Sequence, residues 1–314
     1  MKYWLSVVFL AGGLLASSTV SAAQSGAETV LEDMGNAAQR LSYEVSFITI
    51  SPQSITPARY RHGLINKQPV AQMIQMDSSR REIVQKGNVI SYFEPGFDAF
   101  SLNGQYIVDH LPSVIFANFP QLSAYYNFID AGRTHIGDRP CLVIRVISKD
   151  NSRFNYVLLI DEETRLPLRI DLLDNNNETL EQFRVISTVL DSKSVNDSLI
   201  ALSKLNLPPL LIAPKNEKPA FTWRVGSVPP GFEEISRSRR NIQQGDQLET
   251  AMFSDGLFSF SVNVTKAGNG KLIEQPISRG RRTIYTLTQG QNEVTIIGEL
   301  PLATAKQIAS SIRF

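Results

Sequence analysis

The amino-acid sequence predicts a mainly β protein of the α+β class, with a large antiparallel sheet backed by a few helices and a smaller sheet-and-helix domain. Apolar segments with a period of two recur at intervals of roughly ten residues, which suits a curved or partly closed barrel. Turn-forming pairs such as Gly87-Asn88 and Asp255-Gly256 separate these segments. The 314 residues fit two domains better than one, because single cores stop growing near ~250–300 residues.

Residues 1–23 have the pattern of a secretory signal peptide. Lys2 precedes an apolar run, Tyr3–Ala16, which leads into small residues and a predicted cleavage after Ala22 or Ala23. The run is shorter than the ~20 apolar residues that a membrane-spanning helix needs, although an uncleaved anchor helix is the alternative. The sequence therefore predicts an exported mature chain without a transmembrane segment.

Residues 24–207 are predicted to form a larger domain that begins with a helix and continues as strands. Glu28–Leu41 places Val30, Leu31 and Met34 on one apolar face of an amphipathic helix. From Tyr43 onward the apolar period becomes two, which is typical of strands. The predicted strands are Tyr43–Thr49, Arg59–Ile65, Val70–Met76, Arg81–Gln85, Asn88–Phe93, Leu142–Ser148, Phe154–Ile160, Leu168–Leu173 and Thr179–Leu190.

Two further segments of this domain are predicted not to be strands. Leu111–Tyr126 is apolar and aromatic, but Pro112 and Pro120 divide it into short helical or irregular pieces. Ser194–Leu205 has its apolar residues at helical spacing, which predicts a second helix at the end of the domain.

A proline-rich linker is predicted at 208–220, and a smaller domain follows it at 221–314. The linker holds four prolines, which favour extended conformations. The smaller domain ends in a helix predicted over Pro301–Ile312, with proline in the first turn. Its predicted strands are Phe232–Ser238, Leu248–Ser254, Phe258–Thr265, Thr283–Thr288 and Glu293–Gly298.

The charge balance argues against general nucleic-acid binding. Removal of the leader would leave 30 basic and 30 acidic residues, whereas nucleic-acid binding requires a basic excess or stripe. The larger domain carries 17 basic and 21 acidic residues, and the smaller carries 11 and 8. The smaller domain is therefore the positive one.

The sequence predicts a binding protein rather than an enzyme. His62, His110 and His135 share no metal-ligand spacing, and no nucleophile elbow, phosphate loop or dinucleotide fingerprint is present. Cys141 is the only cysteine, so it has no internal disulfide partner, and it begins an apolar run typical of a buried strand. No catalytic residue, metal or cofactor is predicted.

Two groups of residues are candidates for binding. The density of aromatic residues over 92–128 indicates the lining of a lipid cavity, with ordinary core packing as the alternative. Paired arginines indicate binding of a partner or an anion, with solvated strand edges as the alternative. The lipid candidates are Phe93, Phe97, Phe100, Phe116, Tyr125, Tyr126 and Phe128, and the arginine candidates are Arg80, Arg81, Arg239, Arg240, Arg281 and Arg282.

Several long segments resemble the RseB/MucB family of periplasmic regulators of the envelope-stress sigma factor E. The segments lie on both sides of the linker, along almost the whole mature chain. They are YRHGLINKQPVAQMIQMD, RREIVQKGNVISYFEPG, SLNGQYIVDHLPS, LPLRIDLLD, ETLEQFRVI, NLPPLL, SDGLFSFSVNV, GRRT and GELPLATAKQIASSI.

This resemblance implies a large domain shaped like the lipoprotein carriers LolA and LolB, an unclosed β-barrel with covering helices. It implies a periplasmic protein that binds the periplasmic part of the anti-sigma factor RseA and shields it from site-1 cleavage by DegS. It also implies release of RseA when lipopolysaccharide or lipid fragments bind, with a possible change of homo-oligomeric state. A lipid or lipoprotein carrier without a regulatory partner is the alternative function.

Overall fold

The computed structural model describes residues 16–77, 81–212, 219–242, 246–268 and 274–314. Within these ranges the strands form an 11-stranded sheet, a six-stranded sheet and a two-stranded ladder, so the predicted mainly β class is confirmed. Most of the predicted signal peptide lies outside the described residues.

The large sheet is an antiparallel meander whose two ends do not pair with each other. Its order is β6-β5-β4-β3-β2-β1-β11-β10-β9-β8-β7, so β6 and β7 are the edges and the barrel is not closed. The strands are β1 Tyr43–Ser51, β2 Ser54–Ile65, β3 Gln68–Gln75, β4 Glu82–Lys86, β5 Val89–Phe93, β6 Phe100–Asn103, β7 Tyr126–Ile136, β8 Arg139–Ser148, β9 Asn155–Asp161, β10 Pro167–Leu173 and β11 Thr179–Leu190.

The period-two pattern fixes which face of this sheet is buried. In β1, Tyr43, Val45 and Phe47 are buried, and the ring of Phe47 lies 4.7 Å from that of Phe183 on β11. A register shift between Ser46 and Phe47 marks a bulge in the β1–β11 pair. Because bulges increase the local twist, this one helps the sheet to curve around its apolar face.

Helices lie on both faces of the large sheet. Helix α1, Ala16–Arg40, packs against β2 and β7 on the curved, apolar face. A 3-10 turn at Ser113–Phe116 and the short helix α2, Phe119–Leu122, lie beside it. Helix α3, Lys193–Ser203, lies over β2, β3 and β4.

Helix α3 packs closely on the large sheet beside Gly63. Val195 and Leu199 of α3 pack on Val70, whereas the next residue along β3, Ala71, belongs to the main core. Since successive strand residues point to opposite faces, α3 covers the face opposite to α1. A Cβ at Gly63 would lie 2.6 Å from Leu199 Cδ1, so a larger residue there would require the Leu199 side chain to shift.

The small sheet is also antiparallel and has one helix on one face. Its order is β13-β14-β15-β18-β17-β16, and helix α4, Leu302–Ser310, packs on β17 and β18. Asp255-Gly256 joins β14 to β15, as the turn signal predicted. The strands are β13 Glu233–Asn241, β14 Gln247–Ser254, β15 Ser259–Lys266, β16 Glu274–Arg279, β17 Arg282–Gln289 and β18 Asn292–Gly298, and β12 Arg224–Val225 pairs with β19 Ile312–Arg313.

The beginning of the predicted linker is attached to the large sheet. Ser101 on β6 donates its backbone N–H to Pro209 O (2.9 Å), and Leu211 donates its own to Ser101 O (2.8 Å). The Ser101 hydroxyl also donates to Pro208 O at 2.8 Å. Residues 208–211 therefore cover one edge of the sheet, while 213–218 lie outside the described residues.

Candidate functional site

The apolar face of the barrel is covered by α1 and almost filled. Leu31, Met34 and Ala38 of α1 are fully buried against this face. An apolar cavity of about 20 Å³ lies beside Ala38, near the end of α1, and its walls include Tyr43 and Phe183. This cavity is too small for an acyl chain, which would need a rearrangement of the segments that cover the sheet.

A larger cleft opens beside this cavity, and its walls combine amide side chains with aromatic and aliphatic ones. Its volume is about 310 Å³, and it lies between the end of α1, strands β2 to β5 and the segment that follows β6. His62 lies in its wall and donates Nδ1–H to the carbonyl of Leu41 at 3.0 Å, since a carbonyl can only accept. We call this feature the polar cleft.

The stability of the chain is expected to depend on pH through His62. Burial lowers the pKa of His62, although the hydrogen bond to Leu41 opposes this shift. Below ~pH 6.5 the unfolded chain therefore binds a proton that the folded chain excludes. As the pH is lowered, the free energy of unfolding decreases by at most ~1.4 kcal/mol per pH unit. Urea denaturation between about pH 7 and about pH 5 should show a smaller fall for His62→Asn, whose amide still donates to Leu41.

The control for this experiment is His135→Asn, because His135 is exposed. This variant should keep the wild-type dependence of unfolding free energy on pH. An equal dependence in His62→Asn and in the wild type would contradict the assignment to His62.

The two sheets meet at a buried ion pair. Arg153 follows β8, and its Nε donates to Oδ2 of Asp255, in the turn between β14 and β15, at 2.7 Å. Both side chains are completely buried. Tyr126 donates its hydroxyl to the same Oδ2 at 2.7 Å, and Arg153 also donates to the carbonyl of Pro230. We call this set the interdomain contact.

The groups around the interdomain contact keep the Tyr126 phenol protonated and surround the charges of Arg153 and Asp255. Burial, reinforced by the Asp255 carboxylate, raises the pKa of Tyr126 well above its ordinary value, so the phenol remains a donor. The Arg153 guanidinium carbon lies 5.4 Å from the ring centre of Tyr126 and 4.7 Å from that of Phe232. Asp255 Oδ1 also accepts the backbone N–H of Leu257 at 2.9 Å.

Close packing continues around the ion pair. The ring of Phe258 stacks on Tyr156 at 5.6 Å and meets Phe154 edge-on at 6.1 Å. Gly231 has φ +91°, and a Cβ there would lie 2.6 Å from the ring of Tyr125. Only glycine fits that approach without strain, so residue 231 fixes how closely the small sheet approaches the large one.

The seven aromatic residues proposed for lipid binding lie in several places. Phe116 lines both the polar cleft and the apolar cavity. Phe93 and Phe97 line an open depression of about 280 Å³ at the β5–β6 turn, where Phe97 is 74% exposed. Phe100 stacks on Tyr92 at 5.1 Å near the sheet edge.

The remaining three aromatic residues lie at or near the interdomain contact and in the core. Tyr125 lies under Arg153, with the guanidinium carbon 5.6 Å from its ring centre. Tyr126 bonds to Asp255, as described above. Phe128 is buried and meets Phe119 edge-on at 5.7 Å.

Two of the candidate arginines are held by carboxylates within their own sheets. Arg81 pairs with Glu94 across the β4–β5 hairpin. Arg239 on β13 pairs with Glu249 on the neighbouring strand β14. Arg80 lies outside the described residues.

A third arginine bridges the two sheets. Arg281 donates to Glu181 on β11 at 3.0 Å and to Glu299 of the small domain at 2.5 Å. Burial raises the pKa of Glu299, and the Arg281 charge opposes this shift. Arg240 and Arg282 are exposed and form no salt bridge in the described part of the chain.

The interdomain contact has no signature in the amino-acid sequence. Arg153 and Asp255 are 102 residues apart, and neither lies in a pattern that indicates pairing. The sequence predicts only that Asp255 lies in a turn. That its carboxylate is also fully buried against Arg153 can be seen only in the structure.

Metal and membrane sites were also sought among the described residues. Within the ranges given above, no three His, Cys, Asp or Glu side chains come together to hold a metal ion. None of the helices described there has both the length and the hydropathy needed to cross a membrane.

An unclosed barrel with a covered apolar face, joined to a second sheet by a buried contact, defines a two-domain β protein. The MucB/RseB N-terminal domain model matches residues 26–211, and the MucB/RseB C-terminal domain model matches 217–313. The chain belongs to the MucB/RseB family, which confirms the resemblance noted in the sequence.

Relatives and solved structures agree with this assignment. The chain is 49% identical to the sigma-E factor regulatory protein RseB of Salmonella typhimurium, over 100% of this chain and 98% of that protein. The sigma factor AlgU regulatory protein MucB of Pseudomonas aeruginosa is 26% identical, over 98% and 96%. The structure of the P. aeruginosa MucA/MucB complex matches the fold with a TM-score of 0.72 at 22% identity, covering 92% of this chain and 98% of that one.

Proposed function

We propose that this chain binds the periplasmic part of the anti-sigma factor RseA, protects it from site-1 cleavage by DegS, and releases it when lipopolysaccharide or lipid binds. Full-length identity of 49% to proteins named sigma-E factor regulatory protein is the observation that carries the proposal. A solved relative is described as MucB in complex with MucA(peri), which supports an anti-sigma factor as the partner.

The proposed location is the periplasm. The support is the leader pattern of residues 1–23, a basic start followed by an apolar run and small residues. A single cysteine that is buried and free in the structure is compatible with an oxidising compartment, because it has no internal partner.

Lipid sensing is proposed to work through displacement of α1. The apolar cavity beneath α1 is too small for an acyl chain, so lipid would favour an arrangement in which the helix has moved. Each buried methylene contributes ~0.8 kcal/mol, so part of one chain suffices for micromolar binding once space exists. Among the candidate aromatic residues, Phe116 is placed to contact such a chain because it lines the cavity.

Lipid must also lower the affinity for RseA, and the interdomain contact is the proposed route. A ligand with equal affinity for both arrangements of the protein would shift nothing. Tyr126 and Arg153 belong to the large domain and hold Asp255 of the small domain, so a change in the barrel can reach the small sheet through them. The exposed Arg240 and Arg282 are proposed as contacts for acidic groups of the partner.

The direct experiment is capture of the RseA periplasmic segment by the purified mature chain, with and without lipopolysaccharide. The proposal expects capture without lipopolysaccharide, protection of the bound segment from DegS, and release when it is added. Absence of capture would overturn the regulatory function. If the protein binds lipid but lipopolysaccharide does not change its capture of RseA, the alternative function, a lipid or lipoprotein carrier, would be favoured.

Locking the two domains together is expected to abolish lipid-induced release. Thr304 Oγ1 of the small domain donates to the carbonyl of Ser152 of the large domain at 3.0 Å, so these two residues are neighbours across the contact and are chosen for the cysteine pair. In oxidised Ser152→Cys/Thr304→Cys, lipopolysaccharide should no longer release RseA, and dithiothreitol should restore release. The single variant Thr304→Cys is the control. Wild-type release from the oxidised double variant would show that the domains need not separate.

A further inference from the structure

The polar cleft contains buried polar groups that have hydrogen-bonding capacity left over. Gln85 is 2% exposed, and its Nε2 donates to the carbonyls of Gly87 at 3.0 Å and Gln105 at 2.6 Å. Its Oε1 accepts no hydrogen bond from the described residues. His62 is 4% exposed and uses Nδ1–H for Leu41, so Nε2 is an acceptor that has no partner within the same ranges.

Donors and further amides surround these acceptors. Gln39 of α1 accepts the Tyr106 hydroxyl on Oε1 at 3.1 Å, which leaves its amide N–H groups available. The side chains of Asn88 and Gln105 lie in the wall of the cleft, and both residues are exposed. Four amides therefore line one cleft; Gln85 offers only an acceptor to a ligand, whereas Gln39, Asn88 and Gln105 have N–H groups to donate.

An aromatic pair completes the wall. The rings of Tyr106 and Phe116 stack with their centres 4.5 Å apart and their planes at 3°. Both residues line the cleft, so a ligand there meets aromatic surface as well as amides. Slightly positive C–H groups pack favourably on the negative face of such rings.

The described residues that line the cleft carry no lysine, arginine, aspartate or glutamate. A phosphate or carboxylate would find no counter-charge there, and an acyl chain would leave the buried amides unpaired. The volume of about 310 Å³ is at the lower end of the ~300–1,000 Å³ of small-molecule sites. The occupant is thus small, uncharged, rich in hydroxyl groups and apolar on one face.

We propose that the polar cleft binds the ring of a neutral saccharide, with hydroxyl groups on the amides and His62 Nε2 and C–H groups on the Tyr106–Phe116 pair. This inference does not rest on the proposed regulation of RseA. The saccharide could belong to a soluble glycan or to the headgroup of a glycolipid, and these sources share the same recognition chemistry.

The test is calorimetric titration of the mature chain with neutral disaccharides and with detergents that do or do not carry a sugar. The soluble probes are maltose, lactose and chitobiose. The detergents are dodecyl maltoside and lauryl dimethylamine oxide, which share a twelve-carbon chain but differ in headgroup, both used as monomers. Binding of a disaccharide indicates a soluble glycan, and binding of the maltoside alone indicates a glycolipid headgroup. Either result supports the proposal.

Substitutions in the cleft decide whether the binding is at this site. Asn88→Ala and Gln105→Ala change exposed side chains, and each should weaken saccharide binding by about 3–10-fold. Gln121→Ala is the matched control, because Gln121 is an exposed amide outside the cleft. Equal binding of both detergents with no effect of the cleft variants, or no binding of any probe, would overturn the proposal.

Discussion

Asp255→Ala is expected to lower the free energy of unfolding by about 3–5 kcal/mol, the range for breaking a buried ion pair by removing one partner. The reason is that Arg153 is completely buried and would lose the carboxylate that its Nε contacts at 2.7 Å. Tyr126 would lose the acceptor of its hydroxyl in the same substitution. Guanidinium denaturation followed by circular dichroism measures the loss.

A fluorescent reporter for the small domain is already present. Trp4 and Trp223 are the two tryptophans, so a chain without its leader would retain only Trp223, which is buried and donates to Glu249 at 2.6 Å. In the wild type we expect fluorescence and circular dichroism to change together. In Asp255→Ala the small domain should unfold at lower denaturant, because its contact with the large sheet is weakened.

The control is Asp150→Ala, which removes the other carboxylate near Arg153. Asp150 is 41% exposed in its side chain and lies 3.4 Å from Arg153 Nη1, but it also accepts hydrogen bonds from Ser148 and Ser152, so its loss should cost about 1–2 kcal/mol, less than that of Asp255. Equal effects of the two substitutions would contradict the dominant role of Asp255. If Asp255→Ala lowers the free energy of unfolding by less than about 1 kcal/mol, Arg153 does not depend on the buried carboxylate of Asp255 for its stability in the fold.

Met34→Ala is expected to change stability and lipid affinity in opposite directions. Met34 is fully buried between α1 and the barrel, so the truncation should cost about 2–5 kcal/mol of unfolding free energy. If an acyl chain binds only after α1 has moved, weaker packing of α1 on the sheet makes that movement easier. The arrangement that can bind lipid is then more populated in the variant. The apparent affinity for lipid should then rise by about 3–10-fold.

This prediction is measured by titrating monomeric dodecyl detergent into the variant and the wild type. Met76→Ala is the matched control, since Met76 is 52% exposed and lies outside the covered face. It should change neither unfolding free energy nor detergent affinity appreciably. A weaker affinity in Met34→Ala would indicate that the acyl chain does not use the space beneath α1.

Strands with an alternating burial pattern were predicted from the sequence, as was β13, an edge strand in which no residue is buried. β1 and β15 alternate buried and more exposed residues along most of their length, and both were predicted. β16 is exposed at every position and β7 is exposed over most of its length, so neither carries a period of two, and both were missed. Both are edge strands, whose place in the sheet depends on a neighbour rather than on their own pattern.

The first helix shows a related limit. Its apolar stripe predicted a start at Glu28, but the chain is already helical at Ala16, the first described residue. Small residues such as alanine and serine continue a helix without adding an amphipathic face, so periodicity does not detect them.

The sites were less predictable than the strands, because they are made by residues far apart in the chain. Aromatic density pointed to 92–128, but the structure distributes those rings among the cleft, the interdomain contact and a sheet edge. The polar cleft joins Gln39 to Gln85 and Gln105, which share no local motif. Such sites follow from topology, and topology follows from strand pairing over long distances.

The attachment of residues 208–211 to β6 has a mechanical consequence. The chain that leaves the barrel for the small sheet is fastened along the rim by the Ser101 backbone and hydroxyl before it crosses. Because β6 pairs with β5, a pull on residues 208–211 would reach the hairpin that carries Phe93 and Phe97. This route to the edge of the barrel is separate from the buried pair of Arg153 and Asp255.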